Sequence, residues 1–269
     1  MVIHDIPATL SLLLSAQNVN PLNLLEIENI WLFLAILPVV AFLYAAVGHG
    51  GASGYLALMA LFGFSTLVMK PTALLLNLFV AAISFYHYWR QGHFNRRLFS
   101  YFAISSIPLA FLGGMIEIDA SVYKKILAAL LLFAILKILN VFGKENSGLR
   151  PVQIWQGLAV GGTIGFFSGL IGIGGGIILT PVILLMKWGN MKEAAAVSAL
   201  FIWVNSGAGL FGQFSQGIKI SHESFILVGV ALIGGFLGAY FGSSKFDNKR
   251  LRYLLAFVLV IACLKLVLT

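Results

Sequence analysis

Apolar stretches follow one another from Trp31 to Leu268 with only short polar connections between them. A transmembrane helix needs about 20 consecutive apolar residues. The stretches Trp31–Val47, Tyr55–Met69, Pro71–Arg90, Leu98–Met115 and Val122–Phe142 fill the first half of the chain. The second half holds Val152–Ile171, Ile177–Trp188, Met191–Gln213, Ser224–Gly242 and Lys249–Leu268. Apolar and aromatic residues make up 60% of the chain and charged residues 10%, whereas soluble domains carry about 25% charged residues. One core could not bury so much apolar surface. The stretches are continuous rather than alternating, which also disfavours a β-barrel. The expected fold is an all-α polytopic membrane protein.

Two glycine-rich breaks interrupt this pattern: GHGGASG at Gly48–Gly54 and GIGGG at Gly172–Gly176. What surrounds them is repeated. Gly48, Gly50 and Gly51 match Gly172, Gly174 and Gly175, and Met69-Lys70 matches Met191-Lys192. Gln91-Gly92 matches Gln216-Gly217, and Lys124-Lys125 matches Lys249-Arg250. The expected organisation is a non-spanning arm or interfacial segment (1–30), a first repeat (31–142), a polar cytoplasmic linker (143–151) and a second repeat (152–269). Internal duplication is characteristic of transporter folds.

Charge decides between two topologies. If each broken stretch crosses once, the basic residues divide evenly between the faces. If each makes a hairpin, one face collects Arg90, Arg96, Arg97, Lys137, Lys144, Arg150, Lys187, Lys192, Lys245, Lys249, Arg250 and Arg252. The other keeps Lys70, Lys124, Lys125, Lys219 and Lys265. The positive-inside rule selects the hairpins. Each repeat is then a glycine-broken hairpin followed by three spans. The two repeats are inverted and both termini lie outside the cytoplasm. The segment before the first span carries no basic residue, so it does not read as a secretory signal.

The breaks lack the context of nucleotide-binding loops. Helix breaks do leave backbone N–H groups free, and a helix N-terminus aimed at the midplane binds anions. Acidic residues fall only at the ends of apolar stretches or in the loops between them, which disfavours a cation path. The candidate binding residues are Gly48, His49, Gly50, Gly51, Ser53 and Asn77 from the first half. From the second half they are Gly172, Gly174, Gly175, Gly176, Thr180, Asn205, Ser206 and Gln213. Ser84 and Ser198 are further polar groups of the same kind. Gly161, Gly165 and Gly169, like Gly234, Gly238 and Gly242, are spaced by four and suit close helix packing. His87 and His93, among Tyr86, Tyr88, Trp89 and Arg90, read as an interfacial belt.

No catalytic constellation is present, and no cofactor or metal is expected. The single cysteine, Cys263, forms no internal disulfide. The expected partners are a small anion and the lipid bilayer, with self-association left open and nucleic acid excluded. A transporter, a passive anion channel and an intramembrane enzyme or assembly factor all remain compatible with these features.

The two glycine-rich segments, the Met-Lys pairs and the chain length resemble the TauE/SafE-type sulfite exporter family. The segment SGLIGIGGGIILTPVILL, Ser168–Leu185, is the more specific half. The first segment departs from the plainer pattern at His49 and Ala52-Ser53. The resemblance implies an inner-membrane carrier for sulfite, organosulfonates or related small sulfur anions.

Overall fold

The computed structural model describes Leu24, residues 27–138 and 148–244, and Phe257, Val260, Ile261 and Leu264. The expected arm and the last helix fall almost wholly outside these residues, as does the polar linker up to residue 147. Among the described residues all regular structure is helical: α1 (Ile30–Ala46), α2 (Ala52–Leu61), α3 (Thr66–Arg90), α4 (Arg96–Met115), α5 (Ala120–Ile138), α6 (Ile154–Ile171), α7 (Gly176–Leu185), α8 (Met191–Ser215) and α9 (His222–Ser244). Of these, α3, α4, α6, α8 and α9 are long and apolar enough to cross a membrane.

Both glycine breaks turn the chain back on itself. Gly48 (φ +77°) and Gly51 (φ +103°) take left-handed conformations open to glycine, as do Gly172, Gly174 and Gly175. After the first break α2 returns along α1. The Ser53 hydroxyl donates to Tyr44 Oη at 2.8 Å, and the Phe62 ring meets Phe33 near the start of α1, centroids 5.4 Å apart. After the second break α7 returns along α6, and the Arg150 N–H donates to the Lys187 carbonyl at 2.7 Å. At ten residues, α2 and α7 are about 15 Å long, half a bilayer core.

The boundary before α3 corrects the sequence expectation. The stretch expected to run to Met69 ends at Leu61, and α3 begins at Thr66. Gly63 turns the chain with φ +75°, Phe64 packs on Phe33, and the Ser65 hydroxyl accepts from the Leu67 N–H. Lys70 and Pro71 therefore lie inside α3, not at its start. Asn190 caps α8 at the corresponding point, accepting from the Lys192 and Glu193 N–H groups. Both long helices have 25 residues. Counted from their first residues, Lys70 corresponds to Ala195 and Asn77 to Ile202. The Met-Lys match is thus not a positional equivalence.

Close contacts fix the helix directions. Leu74 lies against Gly209 and Leu78 against Gly207. At the other end, Tyr88 clusters with Ala195 and Ala196. So α3 and α8 run antiparallel through the centre. The spaced glycines pack as expected. Gly161, Gly165 and Gly169 of α6 lie on the carbonyls of Phe102, Ser106 and Ala110, so α6 and α4 run parallel. Gly234, Gly238 and Gly242 of α9 lie on those of Pro38, Phe42 and Ala46, so α9 and α1 also run parallel. The first helix of each half is thereby clasped by a helix of the other half.

Candidate functional site

The two breaks meet at one side chain. A Cβ on Gly50 would stand 2.5 Å from Asn77 Oδ1 and 2.9 Å from Ile202 Cγ2. A Cβ on Gly174 would collide with Asn77 Nδ2 and stand 2.8 Å from the same Ile202 methyl. Only glycine lets both breaks approach so near to Asn77. Its amide oxygen accepts from the Ala52 N–H at 2.9 Å, and its nitrogen donates to the Ile173 carbonyl at 3.3 Å. Asn77 is fully buried. A bare amide would be costly there, and both halves of this one are used.

The starts of α2 and α7 differ in consequence. Gly51 and Gly175, the residues before them, carry no side chain to cap the helix. Asn77 caps α2 from outside. At the matching position α8 carries Ile202, whose side chain lies over Gly176 and cannot accept a hydrogen bond. The first N–H groups of α7 point from a helix end that no side chain caps. Beside them is Ser206, whose Oγ would be 3.1 Å from a Cβ on Gly174. The Ser206 hydroxyl is buried and has no hydrogen-bond partner. Asn205 donates to the Phe201 carbonyl of its own helix at 2.8 Å, and its oxygen is left without a partner.

His49 reaches across from the first break to α7. Its Nδ1 lies 3.0 Å from the Val47 carbonyl and so carries a proton, since a carbonyl can only accept. Its Nε2 lies 3.1 Å from Thr180 Oγ1, and that hydroxyl contacts Ser198 Oγ at 2.8 Å. The Thr180 hydroxyl donates its one proton to Ser198, which leaves its oxygen free to accept from Nε2 when the ring is charged.

His49, Gly50, Asn77, Gly174, Gly176, Thr180 and Ser206 therefore gather at the junction, with Asn205 one position along. Others among the expected site residues point elsewhere. Ser53 turns to Tyr44. Gly51 lies under the Tyr55 ring, Gly48 packs on Ala195, Gly172 on Lys70, and Gly175 on Ile164, Phe201 and Ser168. Gln213 lies two turns past Ser206 along α8. The sequence reading passed over Ile202, which leaves α7 uncapped, and Lys70, which it placed in a connection. The signal for Lys70 was present: a cation flanked on both sides by apolar residues. His87 packs between Tyr86, Phe236 and Tyr240, within the expected aromatic cluster. His93 lies outside the spans; burial and the nearby Lys192 push its imidazole below the usual range, opposed by Glu193.

Apolar spans packed around two half-length helices, with buried polar groups where those helices begin, define a multi-pass membrane transporter. The chain belongs to the sulfite exporter TauE/SafE family, whose model matches residues 32–266. It is similar to "Probable membrane transporter protein y4hK" of Sinorhizobium fredii, with 36% identity over 90% of this chain and 99% of the relative. It is also similar to "Probable membrane transporter protein YjnA" of Bacillus subtilis, with 26% identity over 85% of this chain and 96% of the relative. No solved structure matches the chain.

Proposed function

We propose that this protein is a secondary transporter that exports a small sulfur-containing anion, such as sulfite or an organosulfonate, across the inner membrane. The anion binds where the two glycine breaks meet. The observation that carries this reading is the shared approach of Gly50 and Gly174 to Asn77, beside the uncapped start of α7 and the unpartnered Ser206 hydroxyl. A helix N-terminus with neutral donors favours negative charge without holding it too tightly.

The two halves are inverted repeats in this reading. Its support is the antiparallel course of α3 and α8, the equivalent long helices, together with hairpins that start and end on the same side. A pseudo-two-fold axis in the membrane plane reverses a spanning helix, whereas an axis along the normal preserves its direction. Both termini then lie outside the cytoplasm, as the basic residues require. The protein performs no catalysis in this reading, and its substrate leaves unchanged.

Heat denaturation of the purified protein with methanesulfonate or sulfite tests the site, because a ligand of the native state adds about 2.7 kcal/mol at a hundred times its Kd. Stabilisation by these anions, with saturable exchange in liposomes, is the expected result. Stabilisation by cations alone overturns the anion reading. Conductance without saturation replaces the carrier with a channel of the same fold.

A further inference from the structure

Lys70 lies inside α3 and is only 9% exposed. Its ammonium donates to the carbonyls of Gly114 and Ile116, both at 3.2 Å, where α4 ends. These two bonds leave one of its three N–H donors for another partner. An ionisable group inside a membrane span is costly and points to function. The backbone and Cγ of Lys70 pack on Gly172, the first residue of the second break. The matching position in α8 is Ala195, which packs on Gly48. The charge thus stands on one side of the junction only.

A second observation falls at the same end. Gln213 is fully buried, and neither its amide nitrogen nor its oxygen has a hydrogen-bond partner. Its neighbour Gly212 lies against Gly114, the residue whose carbonyl holds Lys70. Gln213 ends a row of buried polar groups along α8, with Ser198, Asn205 and Ser206 before it. From Ser198 to Gln213 the row climbs about 22 Å, most of a bilayer core. His49 stands beside Ser198 at one end of the row.

We infer that Lys70 and Gln213 form a second anion-binding station, one step from the Asn77 junction on the side opposite His49. It takes the same small oxyanion, so the inference rests on the transport reading above. The anion passes along the α8 row between His49 and the third donor of Lys70, with the Gln213 amide donating to it. The Lys70 end lies toward the face bearing Lys219, since the start of α3 (Leu67, Val68, Pro71 and Thr72) meets Lys219 and Ser221 there in a small cleft that Lys70 itself does not line. The His49 end faces the side bearing Gly148.

Transport of methanesulfonate, which stays singly charged, tests this in right-side-out and inside-out vesicles carrying the full chain. Lys70→Gln should raise the half-saturating concentration by about tenfold or more when the anion is offered at the Lys219 face, as for loss of a hydrogen bond to a charged group. At the Gly148 face it should change less than about twofold. Lys70→Arg should restore most of the loss, and Gln213→Leu should act on the same face as Lys70→Gln. A merely structural strap predicts lower stability and no sidedness. Equal effects at both faces, or none, overturn the second station while wild-type transport stands. If Lys70→Gln does not fold, an unsided or absent effect of Gln213→Leu overturns it equally. If the wild type moves neither methanesulfonate nor sulfite, the transport reading itself fails and the station with it.

Discussion

The Asn77 amide oxygen accepts the Ala52 N–H at 2.9 Å, so the first half-helix is capped by a residue of the next long helix. The same amide holds the Ile173 carbonyl of the other break. One side chain thus ties together two hairpins that meet again where His49 reaches Thr180.

Removing that tie should have a double effect. Asn77→Ala strands a buried N–H and a buried carbonyl, and each such loss costs about 1–3 kcal/mol. Thermal unfolding in detergent should show lower stability, and the protein that remains folded should exchange anions more slowly. Asn77→Asp retains an acceptor for Ala52 but cannot donate to Ile173 when ionised, so it should also impair exchange. Wild-type stability and exchange in both variants would remove Asn77 from the centre of the site.

The glycines separate into two kinds. Gly174→Ala adds a methyl directly against Asn77 and Ile202, at a left-handed backbone, so transport should fall by more than folded yield. Gly165→Ala drives a methyl into the Ser106 carbonyl of α4 and should instead lower folded yield, with transport per folded molecule retained. Transport at the wild-type level in well-folded Gly174→Ala would end the binding role of the second break.

Sidedness is open to cysteine labelling. With Cys263 replaced by Ser, cysteines at Gly148 and near Asp247 should react only from the cytoplasm, and those at Asp119 and His222 only from outside. Asp247 falls beyond the described residues, whereas Gly148, Asp119 and His222 are all exposed. Labelling of Gly148 and His222 from one face contradicts the inverted halves.

His49 should make binding depend on pH. A charged ring beside a bound anion is favoured by that anion, so by linkage methanesulfonate affinity should rise as pH falls through the range of imidazole titration. His49→Gln should flatten this dependence and keep part of the binding, because the backbone donors and Ser206 remain. Equal pH profiles in the two proteins return His49 to a structural role through Val47 and Thr180.

Much of this architecture was legible in the chain itself. Long apolar runs specify spanning helices whatever their neighbours, since lipid leaves backbone groups no other partner. Two consecutive-glycine breaks mark turns, and glycines spaced by four mark close packing faces; all of these appear where the sequence places them. The basic residues favour hairpins, and Phe62 on Phe33 and Arg150 on Lys187 carry the chain back as hairpins require.

What the sequence could not supply was the register between distant segments. A charge inside an apolar run reads as a boundary, but Lys70 is buried because α4 brings two carbonyls to it from 44 and 46 residues away. The short repeated dipeptides suggested one alignment of the halves, and the caps at Ser65 and Asn190 set another. Asn77 and Ile173 are 96 residues apart, and His49 and Thr180 are 131 apart. Local composition decides which segments enter the membrane and where they break. Which polar atoms then meet depends on how the finished helices pack, because each buried donor finds its acceptor on a different segment.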